Sequence, residues 1–208
     1  MKNKKVFALL LCADLTISML VAGCSGGKTP PASSDKPAQS ENGGSAATGT
    51  AAELGSMKSF TAATLDGGSF TQEDIAAKDV TVINFWSMLC GYCIDELPDI
   101  AKYAATLPDN VQVITVCLGL DGEMEIEAAK STLQEAGFTG VTLMEGDGDF
   151  SAVCDEVQYT PTTIFVDKDG NTVGDAIVSA LDADQMAEAY TQHINDALKA
   201  MGQPEMKK

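Results

Sequence analysis

Phe85-Trp86-Ser87-Met88-Leu89-Cys90-Gly91-Tyr92-Cys93-Ile94-Asp95-Glu96-Leu97-Pro98 follows directly on the run Val80-Thr81-Val82-Ile83-Asn84. That run is β-rich and largely apolar, which suits a strand buried on both faces. A helix is expected after it, over Cys90–Thr106, with Pro98 as a kink inside. A Cys-x-x-Cys therefore stands where a buried strand hands over to a helix. Helix N-termini carry unpaired N–H groups and partial positive charge, and both stabilise a thiolate. The first cysteine of such a pair has a lowered pKa and attacks a disulfide sulfur. The second, one turn on, is placed to attack the mixed disulfide that results.

On the C-terminal side, Val111–Leu118 reads as a second buried strand. Glu123–Ala136 reads as a helix stopped by Gly137, where helices favour glycine. A short strand over Val141–Met144 and a short helix over Phe150–Glu156 come next. Thr162–Val166 is a strand closed by the turn signal Asp167-Lys168-Asp169-Gly170-Asn171, with Thr172–Val178 as its hairpin partner. Asp182 caps a last helix reaching about Met201, with Met186, Tyr190, Ile194 and Leu198 at helical spacing.

On the N-terminal side, Phe60–Phe70 reads as a hairpin about Asp66-Gly67-Gly68, and Thr71-Gln72-Glu73-Asp74 opens a brief helical turn. The resulting order, β-β-α-β-α-β-α-β-β-α, is an α/β fold with a central mixed sheet, flanking helices and an N-terminal β-hairpin extension. The domain is expected over 57–202, with 203–208 as a tail.

The first 56 residues differ in character. Lys2, Lys4 and Lys5 precede an apolar stretch that ends in Val21-Ala22-Gly23-Cys24. Basic segment, apolar run and small residues before a cleavage point read as a secretion signal over 1–23. Asp14 interrupts the run, which is also short for a membrane span. Cys24 directly after Val-Ala-Gly resembles the lipobox of bacterial lipoproteins, which implies lipidation at Cys24 and anchoring to the membrane through that lipid. Residues 24–56 are rich in Gly, Ser, Ala and Pro. They are expected to form a flexible tether with an r.m.s. reach of about 30 Å by random-coil scaling.

The formal net charge is −17. Cleavage would remove three lysines and one aspartate and make it two units more negative. Phosphates would be repelled, so no nucleic acid is expected as a partner. The acidity itself is read as solubility for an exported protein.

The run from Asn84 through Cys90-Gly91-Tyr92-Cys93 to Glu96 and Pro98 resembles the thioredoxin superfamily, as does Tyr159-Thr160-Pro161-Thr162-Thr163. More narrowly it is similar to the membrane-tethered TlpA/ResA-like branch, a redoxin or AhpC/TSA-like domain, over about 57–180. The resemblance implies a thioredoxin-like fold and an extracytoplasmic thiol–disulfide oxidoreductase with Cys90 and Cys93 as its working pair. It implies that Pro161 is cis and faces the disulfide, and that Thr160 offers backbone hydrogen bonds to a substrate peptide. Trp86 would pack an aromatic ring beside the disulfide, with plain core packing as the other reading. Gly91 and Tyr92 would tune the potential and face substrate, with a merely exposed ring as the other reading of Tyr92.

Asn84 stands where ordinary thioredoxins carry a buried Asp, as is common in this branch. Glu96 matches a glutamate that the branch places near the cysteines, where a partly buried carboxylate can exchange the resolving thiol's proton. A solvated helix residue is the alternative. Protein disulfides would be the substrates (an apocytochrome, a methionine sulfoxide reductase or a peroxidase), and a membrane thiol carrier of the CcdA/DsbD type would supply electrons. No cofactor and no metal are implied.

Two other functions compete. The same chemistry run backwards makes an oxidase of secreted proteins, and a non-catalytic lipoprotein would use the scaffold only to bind. An intact Cys-Gly-Tyr-Cys argues against the last. A zinc site would need two further ligands, but the remaining cysteines are isolated and His193, expected at a surface or helix-packing position, is the single histidine. Acidic Asp121–Glu127 is read as helix N-terminal acids in preference to a calcium loop. Export permits a second disulfide between Cys117 and Cys154. Two separate core thiols are the favoured reading.

Overall fold

The computed structural model describes residues 54–206. The expected signal segment, Cys24 and nearly all of the tether lie outside these residues. Six strands and five helices follow one another: β1 (Thr61–Thr64), β2 (Ser69–Thr71), α1 (Gln72–Ala76), β3 (Val80–Trp86), α2 (Gly91–Ala104), β4 (Val111–Cys117), α3 (Glu123–Ala136), β5 (Thr142–Gly146), α4 (Gly148–Glu156), β6 (Thr162–Asp167) and α5 (Ala183–Ala200). The strands form one sheet in the order β2-β1-β5-β4-β3-β6. β3, β4 and β5 are parallel, whereas β6 runs antiparallel to β3 and β1 antiparallel to β5. This is a thioredoxin-like fold with the β1–β2 hairpin added at one sheet edge.

Every residue of β3 is buried. Successive strand side chains point to opposite faces, so one apolar run serves two cores. Val80, Val82 and Trp86 join a cluster with Cys93, Leu97, Tyr190 and Ile194. Ile83 and Phe85 join the opposite cluster with Ile75, Phe150 and Val153. Leu54 is already buried in this second core, and the Gly55 N–H donates to Glu156 Oε2 at 3.0 Å. Helices on both faces explain why β3 shows no polar alternation.

Local signals account for most element ends. Thr71 caps α1 with a reciprocal bond from its own N–H to Asp74. Asp182 and Gln185 do the same for α5. Gly137 ends α3 in the left-handed conformation, φ 75°, where a side chain would be strained. Pro98 lies inside α2, and the helix continues past it to Ala104.

One expected element is absent as such. Thr172–Val178 is not a strand; it meets β6 through isolated bridges, Val166 with Thr172 and Thr163 with Ile177. Three steps along β6 are thus spanned by five along its partner, so two extra residues bulge out. Gly174 sits in the bulge at φ 70°, with room for no Cβ because His193 Nδ1 would lie 2.7 Å away. His193 is half-buried and stacks on Phe165 with ring centroids 4.5 Å apart. Burial pushes its pKa below the usual value.

Among the described residues no helix is long and apolar enough to cross a membrane.

Candidate active site

The chain leaves β3 at Trp86, turns through Ser87–Leu89 and enters α2 with Cys90 as its N-cap. Cys90 and Cys93 are joined, with an S–S distance of 2.07 Å. The Cys93 backbone N–H donates to Cys90 Sγ at 3.1 Å. A sulfur at the cap of a 14-residue helix receives both this donor and the positive end of the helix dipole. Once reduced, it is the sulfur whose anion the backbone favours.

The two sulfurs differ in access. Cys90 is half-buried and Cys93 is 1 % exposed. An incoming disulfide therefore meets Cys90 first. Gly91 is exposed, and a Cβ added there would touch nothing within 4 Å. No steric demand calls for glycine at this position; its effect is to leave the approach open. Tyr92 is 78 % exposed.

The Thr160–Pro161 peptide is cis. The Thr160 carbonyl oxygen lies 3.4 Å from Cys90 Sγ, across 70 residues of chain. In the disulfide no proton lies between these atoms; in the dithiol, the Cys90 S–H can donate to that oxygen. Thr162 Oγ1 donates to the Tyr159 carbonyl at 2.7 Å and braces the loop. Pro161 is buried behind it and Thr160 is half-buried.

Trp86 is completely buried, in the same cluster as Cys93. It has no surface to offer a substrate. Asn84 is buried too and donates its amide to Thr163 Oγ1 at 3.0 Å, while Thr163 Oγ1 lies 2.8 Å from Tyr190 Oη. This network ties β3, β6 and α5 together below the sulfurs. The sequence pattern set Tyr190 at helical spacing on the last helix but held no signal for its bond to Thr163, which joins two different elements.

Glu96 is the unusual charge of the site. It shares a face of α2 with Cys93, three residues earlier, and only 4 % of it is exposed. Its Oε1 accepts from the Leu181 N–H at 3.1 Å, while Oε2 has no protein partner among the described residues. Burial, opposed by the Leu181 hydrogen bond and aided by nearby Asp99, raises its pKa from 4.5 to about 7. A carboxyl poised there holds or releases a proton at neutral pH.

Cys117 and Cys154 are both free. Cys117 belongs to one core and Cys154 packs against the other, so the sheet separates them. Burial pushes each thiol up to about 12. Of the four cysteines among the described residues, reduced folded protein treated with iodoacetamide near pH 7 is therefore expected to take label at Cys90. Peptide mass mapping reads the site, and label at Cys117 or Cys154 with none at Cys90 would contradict the helix-cap argument.

The family model described as Redoxin matches residues 50–193. The thiol-disulfide oxidoreductase YkuV of Bacillus subtilis is 26% identical over 106 residues, covering 50% of this chain and 70% of that protein. MTB DsbF, solved in mixed oxidized and reduced forms, superposes with a TM-score of 0.53 at 27% identity, over 67% of this chain and 98% of that one. The pneumococcal exposed lipoprotein thioredoxin of Streptococcus pneumoniae has a TM-score of 0.51 at 23% identity, over 64% and 98% of the two chains, a likeness of fold. The family match runs from ahead of β1 into α5 and takes in both the helix-capping sulfur and the loop that faces it, so this chain belongs to the Redoxin family and is a thiol–disulfide oxidoreductase.

Proposed function

We propose that the chain reduces protein disulfides outside the cytoplasmic membrane, held there by a lipid on Cys24. The observation that carries the chemistry is the asymmetry of the pair: a reachable Cys90 on a helix cap and a buried Cys93 on the face that bears Glu96. The Cys90 thiolate attacks a substrate disulfide, forms a mixed disulfide and expels one substrate thiolate, which takes a proton from water. Cys93 gives its proton to the Glu96 carboxylate and attacks Cys90 Sγ. The Cys90–Cys93 bond forms, the mixed disulfide breaks and the second substrate thiolate leaves. Two electrons have passed from the protein dithiol to the substrate.

Thr160 and Pro161 supply the wall against which the substrate peptide lies, Gly91 and Tyr92 border the approach, and Trp86 supports the pair from below. Electrons return from a membrane thiol carrier of the CcdA/DsbD type. The reductive direction rests on the resemblance to the TlpA/ResA-like branch. Support for the envelope location comes from Val21-Ala22-Gly23-Cys24 and from the lipoprotein among the fold neighbours.

Equilibration of the purified protein against dithiothreitol and glutathione buffers tests the direction. A reductase is expected to have a midpoint near that of thioredoxin, about −270 mV; one near that of DsbA, about −120 mV, would make the protein an oxidase.

A further inference from the structure

We propose that the disulfide-bearing end of the fold docks extended polypeptide segments that combine apolar side chains with lysine or arginine, and selects them over acidic ones. This deepens the exchange function above and rests on it. Four large exposed apolar residues border the sulfur pair: Leu89, Tyr92, Tyr159 and Val178. Leu89, 98% exposed, precedes Cys90, and Tyr92 separates the cysteines. Tyr159 adjoins Thr160, whose carbonyl oxygen touches Cys90 Sγ. Val178 follows Ile177, which is bridged to Thr163 two residues beyond Pro161. Single exposed apolar residues are ordinary, but four around one reactive sulfur make a contact patch.

Charge identifies the occupant. The sulfurs lie at the end of the sheet where β3 and β4 finish and β6 begins. The stretches 86–101, 117–129, 144–167 and 171–198, which include this end, contain neither lysine nor arginine, and Lys130, which follows on α3, is paired with Glu127 at 2.8 Å. Exposed carboxylates stand there instead: Asp95 two residues after Cys93 on α2, Asp121 and Glu123 where β4 passes into α3, and Asp182 at the cap of α5. Lys78, Lys102 and Lys168 lie toward the opposite end, ahead of β3, near the close of α2 and after β6. A negative rim around an apolar centre attracts cationic segments and repels acidic ones before contact. Long lysine and arginine stems also cover apolar surface, and their charged heads sit well over tyrosine faces such as those of Tyr92 and Tyr159.

Three cyclic peptides test this, alike in their apolar residues, each closed by one disulfide and flanked by lysines, serines or glutamates. The full-length protein reduces them beside the small neutral hydroxyethyl disulfide. Expected values of kcat/KM fall in the order lysine, serine, glutamate, spanning about tenfold at low salt and shrinking to about threefold or less near 0.5 M salt. The double variant Asp121→Lys, Glu123→Lys should narrow or invert that order, and Tyr159→Ser should raise KM for the lysine peptide. Equal kcat/KM for all three peptides, with the neutral disulfide still reduced, would overturn the docking inference and leave disulfide exchange standing. No turnover of any disulfide, the neutral one included, would remove the exchange function and this inference together.

Discussion

Replacing Cys90 with serine is expected to bring insulin-disulfide reduction down to the uncatalysed background, a loss of about a thousandfold or more. A hydroxyl at the head of α2 is not ionised at neutral pH, and the buried Cys93 cannot reach a protein disulfide in its place. Cys93→Ser should fail differently. Cys90 can still attack once, but nothing resolves the product, so a mixed disulfide with the substrate should accumulate to one equivalent. A non-reducing gel separates the two variants. Wild-type turnover in both would show that this pair is not the working one.

Glu96→Gln carries the second large effect, because it removes a titration the fold has displaced. Burial raises the carboxyl from 4.5 to about 7. Between those values the native protein keeps a proton that the unfolded chain has lost, so folding is favoured by the neutral carboxyl. That contribution is complete below pH 4.5 and disappears as the pH rises through 7. With about 1.4 kcal/mol per pKa unit, wild type should lose about 2.5 kcal/mol between pH 5 and 8 relative to Glu96→Gln. Urea midpoints of both proteins at the two pH values measure it. In turnover the glutamine cannot take the Cys93 proton. Resolution should slow by about ten- to a hundredfold, and the inflection of kcat near neutral pH should vanish. A variant that keeps the inflection would leave Glu96 a buried acid without a part in the exchange.

Much of the site was legible along the chain because its parts are local. A cysteine pair at the junction of a strand and a helix is a matter of adjacent residues, and so is the dipole that acts on the first sulfur. Only the resemblance, and no periodicity, brought Thr160 and Pro161 to the disulfide. The Thr172–Val178 segment misled because it has strand-like composition. Gly174 at positive φ, packed against His193, turned the expected ladder into a bulge.

Local pattern alone was enough for β3, for the helix that starts beside Cys90, and for a first sulfur placed to ionise. Those properties depend on side-chain period and on peptide groups within one turn. Tertiary packing decided the rest: that Leu181, 85 residues away, holds Glu96 in a buried place, and that Trp86 is sealed in the core. It also placed Cys117 and Cys154 in separate cores, and Tyr190 on Thr163. Burial and proximity arise from contacts between segments far apart in the chain, and no window of adjacent residues contains them.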